Sequence, residues 1–275
     1  MRKYPCQSYF TYLIPRRFLM VRTYILKIYR GEPGSQYWEE FELALIPYAN
    51  VISSLMEIQR NPINIKGEKV KPVVWESGCL EEVCGSCSML INAYPRQACT
   101  ALIEPILNET KNLIITLAPL TKFPLVRDLI VDRSRMFENL KKVHAWIDVD
   151  GTYHQGPGPN IGPEKQKVMY SLATCMTCGC CSEACPQVNM HSPFIGPAAI
   201  SQVRLFNANP IGKTQKEKRL RPLMQEGGVN DCGNNQNCVR VCPKDIPLTD
   251  SIATISRDVT KQAIEDLFSF PDRQD

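Results

Sequence analysis

The sequence predicts an α+β chain in two parts, a small sheet-containing half followed by a mainly α-helical half. Three observations carry this. Runs rich in β-branched and aromatic residues fall before residue 125, helical spacing prevails from residue 133 onward, and the 13 cysteines are clumped in groups that both halves share. The division expected is an N-terminal extension at 1–19, a first domain at 20–125, a connecting helix at 126–150 and a helical domain at 151–275.

In the first domain, VRTYILKIYR (21–30) and YWEEFELAL (37–45) flank the turn residues GEPGSQ (31–36) and read as a β-hairpin. NVISSLMEIQRN (50–61) places Val51, Ile52, Leu55, Met56 and Ile58 at helical spacing, with Asn50 as N-cap. A loop containing Gly and Cys (78–87) follows, then short strands at SMLIN (88–92) and LIITL (113–117). RSRMFENLKKVHAWI (133–147) reads as a helix, and the Gly/Pro-rich GTYHQGPGPNIGP (151–163) interrupts regular structure. Helices are expected at 164–175, 198–208, 216–224 and 249–268.

Composition excludes several classes. With 44% hydrophobic and 22% charged residues the chain is not disordered, and no apolar run approaches the 18 or so residues of a membrane span. A net charge of +4 is too small to argue for nucleic acid. Cysteines are too sparse for a disulfide scaffold and odd in number, which favours reduced, metal-binding thiols. The opening MRKYPCQSYFTYLIPRRFLM does not read as a secretory leader, because Pro5, Pro15 and Arg16-Arg17 break up its apolar residues; Met20, just before the first strand, is an alternative start.

Cys79, Cys84 and Cys87 stand at C-x4-C-x2-C, with Cys99 eleven residues on. This is plant-type [2Fe–2S] spacing: iron–sulfide clusters need anionic sulfur ligands, and a tight loop supplies three of them. Gly78 and Gly85 keep side chains away and leave N–H groups for the cluster sulfurs. A structural zinc site is the competing reading, although zinc favours paired C-x2-C knuckles.

Cys175, Cys178, Cys181 and Cys185-Pro186 form C-x2-C-x2-C-x3-C-P, the bacterial ferredoxin run, whose fourth cysteine ligates the other cluster. A second run, Cys232, Cys238 and Cys242-Pro243, carries Asn235 where the middle cysteine would stand. Exchanging the fourth ligands predicts a [4Fe–4S] site at Cys175, Cys178, Cys181 and Cys242. The other site, Cys185, Cys232 and Cys238, is one thiolate short and is expected to hold [3Fe–4S]. Asn235 as an oxygen ligand to a fourth iron is the less favoured alternative. Cys180 falls between ligand positions and reads as a small buried residue, and Cys6 is assigned nothing.

Three groups in this order, with CLEEVCGSCSMLIN, PRQACTALI, FPLVRDLIVDRSRMF, CMTCGCCSEACP, ISQVRLFN and CGNNQNCVRVCPKDIPLTDSI, resemble the iron–sulfur subunit of succinate dehydrogenase/fumarate reductase over roughly residues 21–257. Some members of that family carry Asp at one ligand position of the first group; here all four are Cys. The resemblance implies a plant-ferredoxin-like β-grasp domain followed by a helical domain with a bacterial-ferredoxin-like core. It implies an electron wire: a partner flavoprotein oxidises succinate at FAD, and electrons pass singly through [2Fe–2S], [4Fe–4S] and [3Fe–4S] to a quinone at a membrane-anchor subunit. The chain would then be a peripheral protein on the cytoplasmic face of the inner membrane. No G-x-G-x-x-G follows a strand, which suits a subunit that does no substrate chemistry itself. Ubiquinone-reducing members line the quinone pocket with Trp and His beside the three-iron site, whereas Val188, Asn189, Met190 and Gly233 stand at the corresponding places here. That departure points to menaquinone and a haem-containing, cytochrome b type anchor, with Pro186, Asn189 and Asn235 as quinone-side candidates.

Other features have plain readings. His144, His154 and His191 have no ligand-spaced partners and are expected in surface or helix-packing roles. KTQKEKRLR (213–221) is by default a solvated helix face, the sharper reading being attraction to anionic lipid or an acidic partner. Trp75 is either a shield for the first cluster or ordinary core. Two alternatives to succinate oxidation stand: a dedicated fumarate reductase running the reverse reaction and, from another class, a zinc-stabilised nucleic-acid-binding module, which would be colourless where an iron–sulfur protein is brown.

Overall fold

A computed structural model describes residues 22–148 and 159–268; the alternative start at Met20, Cys6, His154 and most of the Gly/Pro-rich run lie outside the described residues. β1 (Thr23–Arg30) buries every second side chain, Tyr24, Leu26, Ile28 and Arg30, as alternation on a one-sided sheet requires. It pairs antiparallel with β2 (Tyr37–Ala44) from Thr23↔Ala44 to Arg30↔Tyr37, giving the expected hairpin. α1 (Val51–Arg60) starts at Asn50, whose Oδ1 accepts from Ser53 N at 2.8 Å while Ser53 Oγ accepts from Asn50 N at 3.0 Å. Its apolar face, Val51, Ile52, Leu55 and Ile58, is buried against the sheet.

β3 (Ser88–Ile91), β4 (Tyr94–Gln97) and β5 (Ile114–Ala118) complete a five-stranded sheet in the order β2-β1-β5-β3-β4. β1 and β5 are parallel and the remaining pairs antiparallel, so the sheet is mixed and folds around α1 as a β-grasp. Several elements escape the reading of the sequence, β4 and α2 among them. β4 contains Pro95, tolerated because the strand is at the sheet edge. α2 (Ile103–Thr110) contains Pro105, tolerated in the first helical turn. A small hairpin, β6 (Leu125–Arg127) and β7 (Ile130–Val131), turns at Asp128 and takes the start of the connecting helix expected at 126–150, where helix begins only at Ser134. Asp128 and Glu39 sandwich the buried Arg30 guanidinium, at 3.4 and 2.8 Å, and Arg30 also donates to the carbonyls of Lys71 and Pro72. Val74 N donates to Asp128 Oδ2 at 2.8 Å. This network anchors the segment that leads into the first cysteine loop.

The second half is helical: α3 (Ser134–Lys142), α4 (Pro163–Ala173), α5 (Cys180–Glu183), α6 (Pro197–Ala208), α7 (Lys216–Leu220), α8 (Asn237–Arg240) and α9 (Leu248–Phe268), the last packed on α6. Two expectations need correction. The helix expected over 133–147 ends at Lys142, because His144 takes a left-handed backbone (φ 52°) and the chain turns away. The basic run 213–221 is a solvated face at Lys213, Glu217, Lys218 and Arg221 but not at Arg219, which is fully buried and donates to the carbonyls of His144, Trp146 and Gly212. Its neighbours are paired, Lys216 with Asp258, Lys218 with Asp148, and Arg221 with Glu217 and Asp266. His144 packs, its ring 3.9 Å from that of Trp146 and its Nε2 3.1 Å from Asp148 Oδ1. Trp75 lies against the first-half core. No helix among the described residues is long and apolar enough to cross a membrane.

Candidate metal centres

The first cysteine loop wraps its sulfurs in backbone donors. Cys79 Sγ accepts from the N–H groups of Glu81, Val83 and Cys84 at 3.4, 3.2 and 3.3 Å, and Cys79 N donates to Cys84 Sγ at 3.4 Å. Left-handed Leu80, Glu82 and Gly85 allow the loop to curl inward in this way. Ser86 Oγ, 2.8 Å from Cys84 Sγ, together with the backbone N–H of Cys79, brings the Cys84 thiol down to about 6. Cys87 and Cys99 lie beside one another in the interior, and burial pushes Cys87 up to about 12. A loop that aims N–H groups at sulfur suits anionic thiolates holding an iron–sulfur cluster.

Cys175, Cys178, Cys181 and Cys242 line one cavity with Met136 and Ile246. Desolvation raises Cys175, Cys181 and Cys242, and repulsion among the thiolates adds to it, as expected where several sulfurs share a dry space. Cys178 differs: a hydrogen bond from Cys180 leads the causes that bring it down to about 7. Cys180 is fully buried and does not line that cavity. Cys185, Cys232 and Cys238 form the third group, mutually close enough for their charges to repel, with burial again the main upward push on Cys185 and Cys238. Cys242 thus faces the 175–181 run and Cys185 faces the 232–238 run. Among the described residues no group of His, Cys, Asp or Glu is arranged to hold a single metal ion; Cys175, Cys178, Cys181 and Cys242 line a shared cavity instead.

The quinone-side candidates are on the surface. Pro186, Asn189 and Asn235 are exposed. Asn189 Oδ1 accepts from His191 N and Ser192 N at 2.9 and 2.8 Å, and its carbonyl accepts from Arg135 Nη1 at 2.6 Å. A side chain at Gly233 would meet Gln187 Nε2 at 2.7 Å and Asn235 Nδ2 at 3.2 Å, so the Asn235 amide comes to the loop that follows Cys185.

Four residues that join the groups carry no motif. Arg133 donates to the carbonyls of Gly85 (2.7 Å) and Ser86 (3.3 Å). Buried Glu183 accepts from Thr121 N, Thr121 Oγ1 and Lys122 N, fastening α5 to the first half. Tyr94 Oη donates to Arg240 O at 2.6 Å. Gln97 reaches from Cys87 to Cys180. Gly85 (φ 73°) is forced by the same approach: a Cβ there would stand 2.8 Å from Met176 O and 2.9 Å from Cys178 Cα, so the first loop rests against the second cysteine run.

Comparison with known families gives the class first. A 2Fe-2S iron-sulfur cluster binding domain matches residues 25–138, and a 4Fe-4S dicluster domain matches residues 171–246. The chain is therefore a two-domain ferredoxin-type iron–sulfur protein. It is 59% identical over 235 residues, 86% of this chain and 91% of the relative, to the succinate dehydrogenase iron-sulfur subunit of Bacillus subtilis. The fumarate reductase iron-sulfur subunit of Wolinella succinogenes is more distant, 28% identical over 86% of this chain and 98% of its own. A chain of the Mycobacterium smegmatis Sdh1 complex in the apo form shares the fold, with a TM-score of 0.71 at 20% identity over 89% of this chain and 98% of that one. The chain belongs to the family of succinate dehydrogenase iron–sulfur subunits, components of an oxidoreductase of the tricarboxylic acid cycle and respiratory electron transport.

Proposed function

We propose that this subunit carries electrons one at a time along three centres: [2Fe–2S] on Cys79, Cys84, Cys87 and Cys99; [4Fe–4S] on Cys175, Cys178, Cys181 and Cys242; and [3Fe–4S] on Cys185, Cys232 and Cys238. The observation that carries this is the cavity lined by three cysteines of one run and the last cysteine of the other, the exchange that a two-cluster ferredoxin requires. Clusters at these places supply one-electron steps, which divide a two-electron oxidation of succinate. The chain's own part is to gather the sulfurs, aim N–H groups at those of the first loop and keep neighbouring sites in contact through Gly85 and Cys178.

The domain division follows the same logic, with the first centre in 20–125, a connector at 126–150 and the other two in 151–275. The partners are an FAD-containing flavoprotein on the entry side and a membrane-anchor subunit, of cytochrome b type, on the exit side. The exit lies at the third centre, where Pro186, Asn189 and Asn235 are exposed and no Trp stands; menaquinone is the acceptor we favour. The chain is then a peripheral protein held at the cytoplasmic face of the inner membrane. The same wire serves fumarate reduction when current runs the other way, a second reading supported by the Wolinella relative.

Low-temperature EPR of the anaerobically isolated protein tests this. An oxidised three-iron signal that vanishes with dithionite, with a reduced [2Fe–2S] signal appearing, is expected; a colourless, EPR-silent protein with bound zinc contradicts it. Asn235→Cys supplies the missing thiolate and is expected to replace the three-iron signal with that of a second cubane. Persistence of the three-iron signal, with iron content unchanged, argues against Asn235 as the vacant position.

A further inference from the structure

We propose that Arg133 is a positioning residue between the first two centres, gripping the first cysteine loop where it meets the second run and holding one fixed positive charge there. The inference rests on the ligand assignment above. Arg133 stands immediately before α3, with its side chain 16% exposed. Its Nη1 donates to Gly85 O at 2.7 Å, and its Nη2 donates to Ser86 O at 3.3 Å and to Glu76 Oε2 at 3.2 Å. Gly85 and Ser86 are the two residues between the ligands Cys84 and Cys87. Gly85 is also where the loop rests against the ligand Cys178, with no room for a Cβ. The guanidinium thus sits where two ligand loops meet. Its partners are main-chain carbonyls and a carboxylate, so the grip is the same whether the sulfurs carry protons or iron.

Two effects follow from that placement. A cation on the Gly85 carbonyl polarises the same peptide's N–H, which belongs to Ser86. After the Ser86 hydroxyl and the Cys79 N–H, this Ser86 N–H is the next group that lowers the Cys84 thiol. A stronger donor to ligating sulfur stabilises the more negative, reduced cluster and raises its potential. The charge also acts through space, since Arg133 is one of the lesser causes, behind the hydrogen bond from Cys180, that bring Cys178 down. Arginine keeps its charge at any working pH. Glu76 offsets only part of it, because that carboxylate is 44% exposed and screened by water. The first centre therefore feels both effects and the second feels the charge alone. An electron on either is stabilised, with no bond formed and no proton moved.

The test is an EPR-monitored redox titration of the assembled membrane complex carrying Arg133→Met, Arg133→Lys or Glu76→Gln. Arg133→Met is expected to shift the reduction equilibrium of the first centre about tenfold toward the oxidised form, some 59 mV for a one-electron couple. A shift of about threefold in the same direction is expected at the second centre and none at the third. Arg133→Lys keeps the charge but loses the forked grip on two carbonyls; it is expected to restore the second centre and leave the first shifted about threefold. Glu76→Gln removes the counter-charge and is expected to move the first centre about threefold toward the reduced form. Unchanged potentials in Arg133→Met overturn the proposal, as does an equal shift of all three centres. A second centre displaced as far by Arg133→Lys as by Arg133→Met also overturns it. If Arg133→Met fails to assemble, a first centre that Glu76→Gln leaves unmoved overturns it. Absence of the three signals from the wild-type complex contradicts the ligand assignment instead.

Discussion

The two halves hold themselves together by different means. The sheet half has one continuous apolar cluster, from Tyr24 on β1 through Leu55 on α1 to Leu117 on β5, and of its cysteines only Cys87 and Cys99 belong to it. The helical half divides its apolar residues among several smaller clusters, and their edges are cysteines: Cys185 and Cys232 on one, Cys175, Cys181 and Cys242 on another. Where a domain cannot gather a single core, metal–sulfur bonds can take its place and binding becomes coupled to folding. The sheet half should then stand without its cluster, whereas the helical half should not.

The sharpest way to break this comparison is to take iron away. Chelation, or Cys181→Ser, is expected to abolish amide protection over 163–268 while β1–β5 and α1 stay protected, as followed by hydrogen exchange. Equal loss in both halves would sink the contrast. Next in size comes the buried ion cluster of the sheet half: Arg30→Ala strands Glu39 and Asp128 in the interior and is expected to cost about 3–5 kcal/mol in denaturant unfolding of that half. Arg219 is its counterpart in the helical half, but it faces carbonyls in place of carboxylates. Arg219→Leu leaves those acceptors unpaired without stranding a charge, and a loss of about 2–3 kcal/mol is expected. A cost for Arg219→Leu above that of Arg30→Ala would reverse the order and show that the loop clamp matters more than the ion cluster.

The smallest effect is one of pH. Burial, then the nearby Lys218 and Arg219 charges against the opposing pull of Asp148, hold His144 below the ordinary histidine value of 6.5. At neutral pH the ring is mostly uncharged whether folded or not. As pH falls below 6.5 the unfolded chain takes up a proton that the folded chain resists, so stability declines towards the lower, folded value. His144→Gln is expected to flatten that decline in thermal melts between pH 7 and 5; an unchanged slope would assign it to other groups.

Local signals made much of this visible in the sequence. Alternation in VRTYILKIYR, helical spacing after Asn50 and the helix expected over 249–268 are properties of single segments, and each forms the element they describe. Cysteine spacing likewise marked the three groups, because a wrapped cluster imposes its span on the chain. What escaped depends on distant partners. β4 and α2 carry prolines that only an edge position and a first helical turn excuse. Arg219 looks like one charge in a solvated run until the 144–146 loop folds over it. Gln97, Arg133 and Glu183 have no spacing to betray them, since their task is to join segments far apart in sequence.

The central claim is the exchange of ligands between the two ferredoxin runs, and EPR of Cys242→Ser beside Cys238→Ser tests it most directly. The account predicts that Cys242→Ser alters the [4Fe–4S] signal and spares the three-iron signal, with Cys238→Ser doing the reverse. If Cys242→Ser removed the three-iron signal and left the [4Fe–4S] signal intact, each run would hold its own cluster and the assignment would be wrong.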